Sequence, residues 1–243
     1  MVGVAVLGLA VSVSVAAHAQ LVNGSFEMNG GNGQLGFNTS VTGWSVPAPS
    51  GSYTFLFGPG TADTSGANGQ YGGLALWGPN NGSANGLPAT SPDGGYFIAQ
   101  DSDFQTGALT QTVNNLTVGH TYDVSFDWAA AQQYGFDGAN QSGWYVSLGG
   151  GPAQDTGLAS IPNHGFSGWM TASFNYTATS TSEVLSFMAH GSPQVPPFAL
   201  LDGVKMTDTS SVPEPTAVVS IFAGVMGFGV FARRRRRAVK SIA

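Results

Sequence analysis

The residues able to do chemistry are few in this chain of 243, and their spacing excludes most reactions. There is no cysteine, which removes disulfides, thiolate nucleophiles and cysteine-ligated zinc together. None of the four histidines opens a His-Glu-x-x-His zinc motif, and neither a Gly-x-Ser-x-Gly nucleophile elbow nor a Gly-Lys-Ser/Thr phosphate loop occurs. Gly31-x-Gly33-x-x-Gly36 spells the dinucleotide-binding pattern, but it follows no apolar strand, opens no helix and lies among Asn and Gln, so it reads as turn sequence. His120, His164 and His190 each adjoin a glycine and read as polar turn residues rather than ligands or bases.

Carboxylates and aromatic rings are the remaining candidates. Asp123 and Asp127 share one face of an alternating segment about 13 Å apart, too far for either glycosidase arrangement between themselves. Asp101-x-Asp103 offers two oxygens of a calcium site, or simply a solvated loop. Aromatic side chains beside Asn, Gln and Asp suit sugars, whose apolar ring faces stack on aromatics while the hydroxyls take polar partners. The glycine-flanked stretch 131–143 carries Tyr134 and Phe136 with Gln132, Gln133, Asp137 and Asn140, and Trp77 lies by another loop. Tyr134, Asp137 and Asn140 are the nominated ligand-binding residues; core packing of the aromatics remains open beside that reading.

These groups must be positioned by strands. In 121–128 the apolar Tyr122, Val124, Phe126 and Trp128 alternate with Thr121, Asp123, Ser125 and Asp127, the signature of a strand with one wet face. Alternation recurs over 170–176 and at Trp144, Val146 and Leu148, with further strands expected over 96–99, 108–113, 184–189 and 198–206. The region 29–90 is crowded with turn dipeptides and reads as long loops decorating one end. Charged residues are only 8% and glycines number 36, which excludes coiled coils and helical bundles; an all-β antiparallel sandwich or jelly roll is expected. Between residues 20 and 211, twelve acidic residues face the single Lys205, a formal charge of −11, so no basic groove exists for nucleic acid.

Both ends read as address rather than fold. Residues 1–19 form an apolar run closing on Ala17-His18-Ala19, the small-x-small pattern of a signal-peptidase site; nothing basic precedes the run, so the true start is expected upstream. The body is expected over 20–210. A stiff Pro-Glu-Pro linker follows over 211–215, then an uncharged run over 216–232, then a basic tail over 233–243. Seventeen helical residues span about 25 Å, at the short limit for a hydrocarbon core. Arg233, Arg234, Arg235, Arg236 and Arg237 would hold the tail in the cytoplasm and leave the body outside.

The ending Val212-Pro213-Glu214-Pro215, short apolar span and arginine cluster resembles the PEP-CTERM sorting signal of exported bacterial proteins. The resemblance implies an exosortase-type protease acting near Pro213, Glu214 and Pro215, transient or permanent inner-membrane anchoring, and a mature form at the cell surface or outside the cell. A plain, uncut membrane anchor is the alternative. The body resembles the galactose-binding-like jelly rolls that include many carbohydrate-binding modules. The segments that carry this are Leu21-Val22-Asn23-Gly24-Ser25-Phe26-Glu27, Gly43-Trp44, Leu109 to Val113 leading into Tyr122 to Phe126, and Ala199 to Val204. That resemblance implies adjacent first and last strands, and a structural calcium near Glu27 and Asp202; a solvated Glu27 and a turn-shaping Asp202 are the alternative. The expected function is non-catalytic glycan or exopolysaccharide binding. A structural surface protein without a pocket, or a hydrolase of matrix polysaccharide, are the rivals.

Overall fold

The computed structural model describes residues 21–48 and 51–210; the expected signal segment, membrane span, sorting motif and arginine cluster lie outside them. Among the described residues no helix is long and apolar enough to cross a membrane. Among the described residues thirteen strands form, beginning β1 (Gly33–Gln34), β2 (Thr54–Phe57), β3 (Ala67–Gly69), β4 (Gly72–Leu74), β5 (Phe97–Asp101), β6 (Leu109–Asn114) and β7 (Thr121–Gln132). They continue β8 (Asn140–Leu148), β9 (Gln154–Asp155), β10 (Ala159–Ile161), β11 (Met170–Thr177), β12 (Ser182–Ser192) and β13 (Pro197–Asp208). The strands expected from alternation are all present, most of them longer than the pattern suggested.

Among the described residues two large antiparallel sheets result, ordered β1-β2-β5-β13-β7-β11 and β10-β8-β12-β6, with β9 pairing β8, and β3 and β4 form a separate two-stranded sheet. The chain folds as an antiparallel ribbon: β13 pairs with β5, β12 with β6, β11 with β7 and β10 with β8. That pairing defines a jelly roll, wrapped so that β13 also pairs β7 and β12 also pairs β8. The inner faces meet over Leu56, Ile98, Val124, Phe126, Trp128 and Leu201 from one sheet and Leu109, Val113, Trp144, Val146, Leu185 and Phe187 from the other. Buried polar tips are satisfied across the layers: Trp144 Nε1 donates to the Leu200 carbonyl at 3.0 Å and the Tyr176 hydroxyl to that of Val146 at 2.7 Å.

The expectation for 29–90 needs correction. The region adds β1 and β2 to the six-stranded sheet and lays a second apolar layer over that sheet's outer face. Phe55, Phe57, Phe97, Ala99, Ala129, Ala131, Phe198 and Leu200 point outward from the sheet and are buried by Ala62, Ala67, Leu74, Leu76 and Leu87. The wet face read from 121–128 therefore holds only for the first part of β7; from Ala129 to Gln132 every side chain is buried. Alanine is what the cover requires there, because a bulkier outward residue would hold it off the sheet.

Candidate functional site

Where the covering layer ends, a groove of about 370 Å³ opens at one end of the six-stranded sheet. Its residues come from distant stretches: Tyr53 before β2, Tyr71 and Gly73 in the β3–β4 hairpin, Asp101, Asp103 and Phe104 where β5 ends, Gln133 and Phe136 after β7, and Gln194, Pro196 and Pro197 leading into β13. Each piece is fixed by local hydrogen bonding. Asp101 Oδ1 accepts from the backbone N–H of Asp103 at 2.9 Å and of Phe104 at 3.0 Å, folding the residues after β5 into a tight turn. The β3–β4 hairpin turns at Gly72, whose φ of 104° suits glycine, and this puts Tyr71 at its tip. Buried Gln132 donates to the Val195 carbonyl at 3.2 Å and accepts from the His164 N–H at 2.7 Å, bracing the 194–197 side.

Tyr53, Tyr71 and Phe104 form one aromatic wall, with ring centroids 5.5 to 5.9 Å apart. Tyr71, Phe104 and Phe136 are 63, 46 and 43% exposed, unusual for large apolar rings in a concave site. Burial pushes the Asp101 carboxyl up to about 6, with the Asp103 charge adding to it and the two backbone N–H groups working against it. Burial, and then the Asp101 charge, push the Tyr53 phenol up to about 12. The groove thus combines aromatic faces, two carboxyls and two side-chain amides, with no Lys, Arg or His along it among the described residues.

Of the nominated residues, Tyr134 and Asp137 meet in one exposed cluster next to Phe136 but outside the groove lining. Tyr134 packs on Trp77 at 4.5 Å, Trp77 stacks on His164 at 3.7 Å, and His164 Nε2 lies 2.7 Å from Asp137 Oδ1. Trp77 Nε1 also donates to the Phe136 carbonyl at 2.9 Å, so this cluster positions the groove's far wall. Asn140 is placed otherwise: it starts β8, is buried, and neither side-chain amide atom has a hydrogen-bond partner. Sequence reasoning missed Tyr53, Tyr71, Phe104 and Gln194, and it weighed Asp101 and Asp103 as calcium ligands or a solvated loop, not as part of a groove. The usable signal was Tyr71 within Gln70-Tyr71-Gly72-Gly73, an aromatic at a glycine turn tip where core packing is out of reach.

Glu27 and Asp202 are brought to one region. The segment before Glu27 docks on a bulge in β13, where the register slips between Asp202 and Lys205 and the Val204 N–H donates to the Gly24 carbonyl at 3.0 Å. Asp202 is fully buried, accepts from the Ser91 hydroxyl and the Gly203 N–H, and is pushed up to about 8 by burial, with Asp93 and Glu27 contributing. Glu27 is exposed, and its Oε1 accepts from the Tyr96 N–H at 2.6 Å. Carboxyl oxygens suit a hard cation, but among the described residues no three His, Asp or Glu side chains converge to hold one.

The sequence matches no protein-family model and no curated protein. Solved structures similar in arrangement include CBM4, 17% identical over 78% of this chain and 100% of that one, with a TM-score of 0.34. TmCBM61 in complex with β-1,4-galactotriose is 16% identical over 79% and 99%, with a TM-score of 0.35. The carbohydrate binding module CBM6cm-2 from Cellvibrio mixtus lichenase 5A, in complex with cellotriose, is 17% identical over 49% and 83%, with a TM-score of 0.30. The jelly-roll assignment rests on strand pairing and not on these matches.

Proposed function

We propose that this chain is an exported, non-catalytic protein whose jelly-roll body binds polysaccharide in the groove, at the cell surface or in the extracellular matrix. One observation carries the reading: three large aromatic rings stand open to water around a concave site that also holds two carboxyls and two side-chain amides. A pyranose stacked on those rings would remove their apolar faces from water while Asp103, Gln133 and Gln194 hydrogen-bond its hydroxyls. A pocketless structural protein gives these rings no purpose. The test is a glycan array read with the full chain and with a variant carrying Tyr71→Ala, Phe104→Ala and Phe136→Ala. Hits lost in the variant support the reading, and no hits with folded protein oppose it.

A hydrolase is the second reading, favoured by one observation: Asp101 holds its proton up to about 6, as a general acid must, and Asp103 shares the groove. Against it, both carboxyls come from one strand end, and one oxygen of Asp101 is occupied by two backbone N–H groups. Release of reducing ends from matrix polysaccharide, abolished by Asp101→Asn, would favour the enzyme.

Delivery is the other half of the proposal and rests on sequence. The apolar N-terminus directs export, Arg233 to Arg237 hold the tail inside, and an exosortase-type protease acts near Pro213, Glu214 and Pro215. A structural calcium joins Glu27 to Asp202 and ties the first segment to the last strand. Intact-mass analysis of cell-associated and secreted forms tests the sorting. A chain ending near Pro215 supports cleavage, and a chain retaining the arginines supports a permanent anchor.

A further inference from the structure

Among the described residues the groove is acidic and has no cation of its own. Asp101 and Asp103 both face it, and among the described residues no Lys, Arg or His lines it. Lys205, the sole Lys or Arg among the described residues, lies 3.5 Å from Asp93. Asp101 is 2% exposed, and a buried carboxylate left without a counter-charge is costly. Its Oδ1 is satisfied by two backbone N–H groups, which are dipoles and leave the net charge in place. Next to it stand the rings of Tyr53, Tyr71 and Phe104, whose π faces attract cations. Carboxyls and aromatic faces together lack one thing, a positive group from the ligand, and the surrounding formal charge of the body, twelve acids against one lysine, repels anions before contact.

We infer that the groove selects glycans bearing free amino groups, such as β-1,4-linked glucosamine polymers, over their N-acetylated, neutral and uronate counterparts. The inference rests on the groove being a glycan site and names the class it takes. A protonated sugar amine forms a charge-assisted hydrogen bond to Asp103 and sits against the Tyr71 and Phe104 faces while the pyranose ring stacks. A uronate in the same place meets two carboxylates and no donor of positive charge.

The test is titration calorimetry of the full chain with four probes of equal length: oligomers of β-1,4-glucosamine, of its N-acetylated form, of β-1,4-glucose and of galacturonate. The glucosamine oligomer is expected to bind about tenfold or more tightly than its acetylated form, with the ratio falling as salt is raised. Asp103→Asn, folded by its melting curve, is expected to bring the two affinities together. Equal affinities in the native chain, a preference insensitive to salt, or a preference retained in the variant would each overturn the amino selectivity while leaving glycan binding in place. Tighter binding of galacturonate would overturn it as well. Failure of all four to bind would remove both the selectivity and the glycan reading.

Discussion

The Tyr71 hydroxyl accepts a hydrogen bond from Gln105 Nε2 at 3.1 Å, which fastens the tip of the β3–β4 hairpin to the turn that follows β5. Gln105 is itself held, its Oε1 accepting from Gln70 Nε2 at 2.9 Å and its carbonyl from the Tyr53 N–H at 2.8 Å. Two stretches far apart in sequence thus make one aromatic wall that is ordered before any ligand arrives, which lowers the entropy lost on binding. Tyr71→Ala is expected to weaken glycan binding roughly ten- to hundredfold, and Tyr71→Phe, which keeps the ring, by no more than about threefold. Calorimetric titration measures both. Because Tyr71 is well exposed, neither change should move stability beyond about 0.5 kcal/mol.

The docking of the first segment on β13 depends on the absence of a side chain at Gly24. A Cβ there would lie 1.9 Å from the Val204 carbonyl oxygen, a backbone atom that cannot swing away. Gly24→Ala should cost about 1–3 kcal/mol, which for a domain of this size lowers Tm by roughly 2–4 °C per kcal/mol. Differential scanning calorimetry gives the value, and an unchanged Tm would mean the segment is not bound to β13 in solution.

If calcium bridges Glu27 and Asp202, it binds the folded chain alone and stabilises it by mass action, about 2.7 kcal/mol at a hundredfold excess over its dissociation constant. Thermal melts in calcium should exceed those in chelator, and the difference should vanish in Glu27→Gln and in Asp202→Asn. A melting curve indifferent to chelator would eliminate the ion.

Asp101 gives the fold a specific pH dependence. Its folded carboxyl titrates near 6, against an ordinary value of 3.8, so between these values the native state binds more protons than the unfolded one. Stability therefore contributes fully below about pH 4, falls as pH rises to about 6, and is flat beyond, by a total on the order of 3 kcal/mol. Asp101→Asn can keep the oxygen that accepts from Asp103 and Phe104 while removing the charge. Denaturant melts at a series of pH values should show the native-minus-variant difference changing across this window and constant above it.

Much of the sandwich was readable in the sequence. Tyr122, Val124, Phe126 and Trp128 alternate because one side of β7 meets the core and the other meets water. Alternation stops being informative at Ala129, where the covering layer buries both sides, and a run such as Ala129-Ala130-Ala131 carries no periodicity to interpret. The groove was less legible because no local pattern contains it: Tyr53, Tyr71, Phe104 and Phe136 meet only after strand pairing and the cover are both in place. Tyr134 and Asp137 were found from local composition; both stand exposed, packed against Trp77 and His164 beside the groove rather than in its lining. Asn140, in the same polar stretch, is carried into the start of β8, where strand pairing buries it.

The most direct measurement is an NMR titration of the full chain with β-1,4-linked glucosamine oligomer, following the aromatic ring resonances. Groove binding predicts progressive shifts confined to Tyr53, Tyr71, Phe104 and Phe136, and their loss when Tyr71 and Phe104 are both replaced by Ala. Shifts mapping to the outer face of the five-stranded sheet, or none at saturating oligomer, would contradict it.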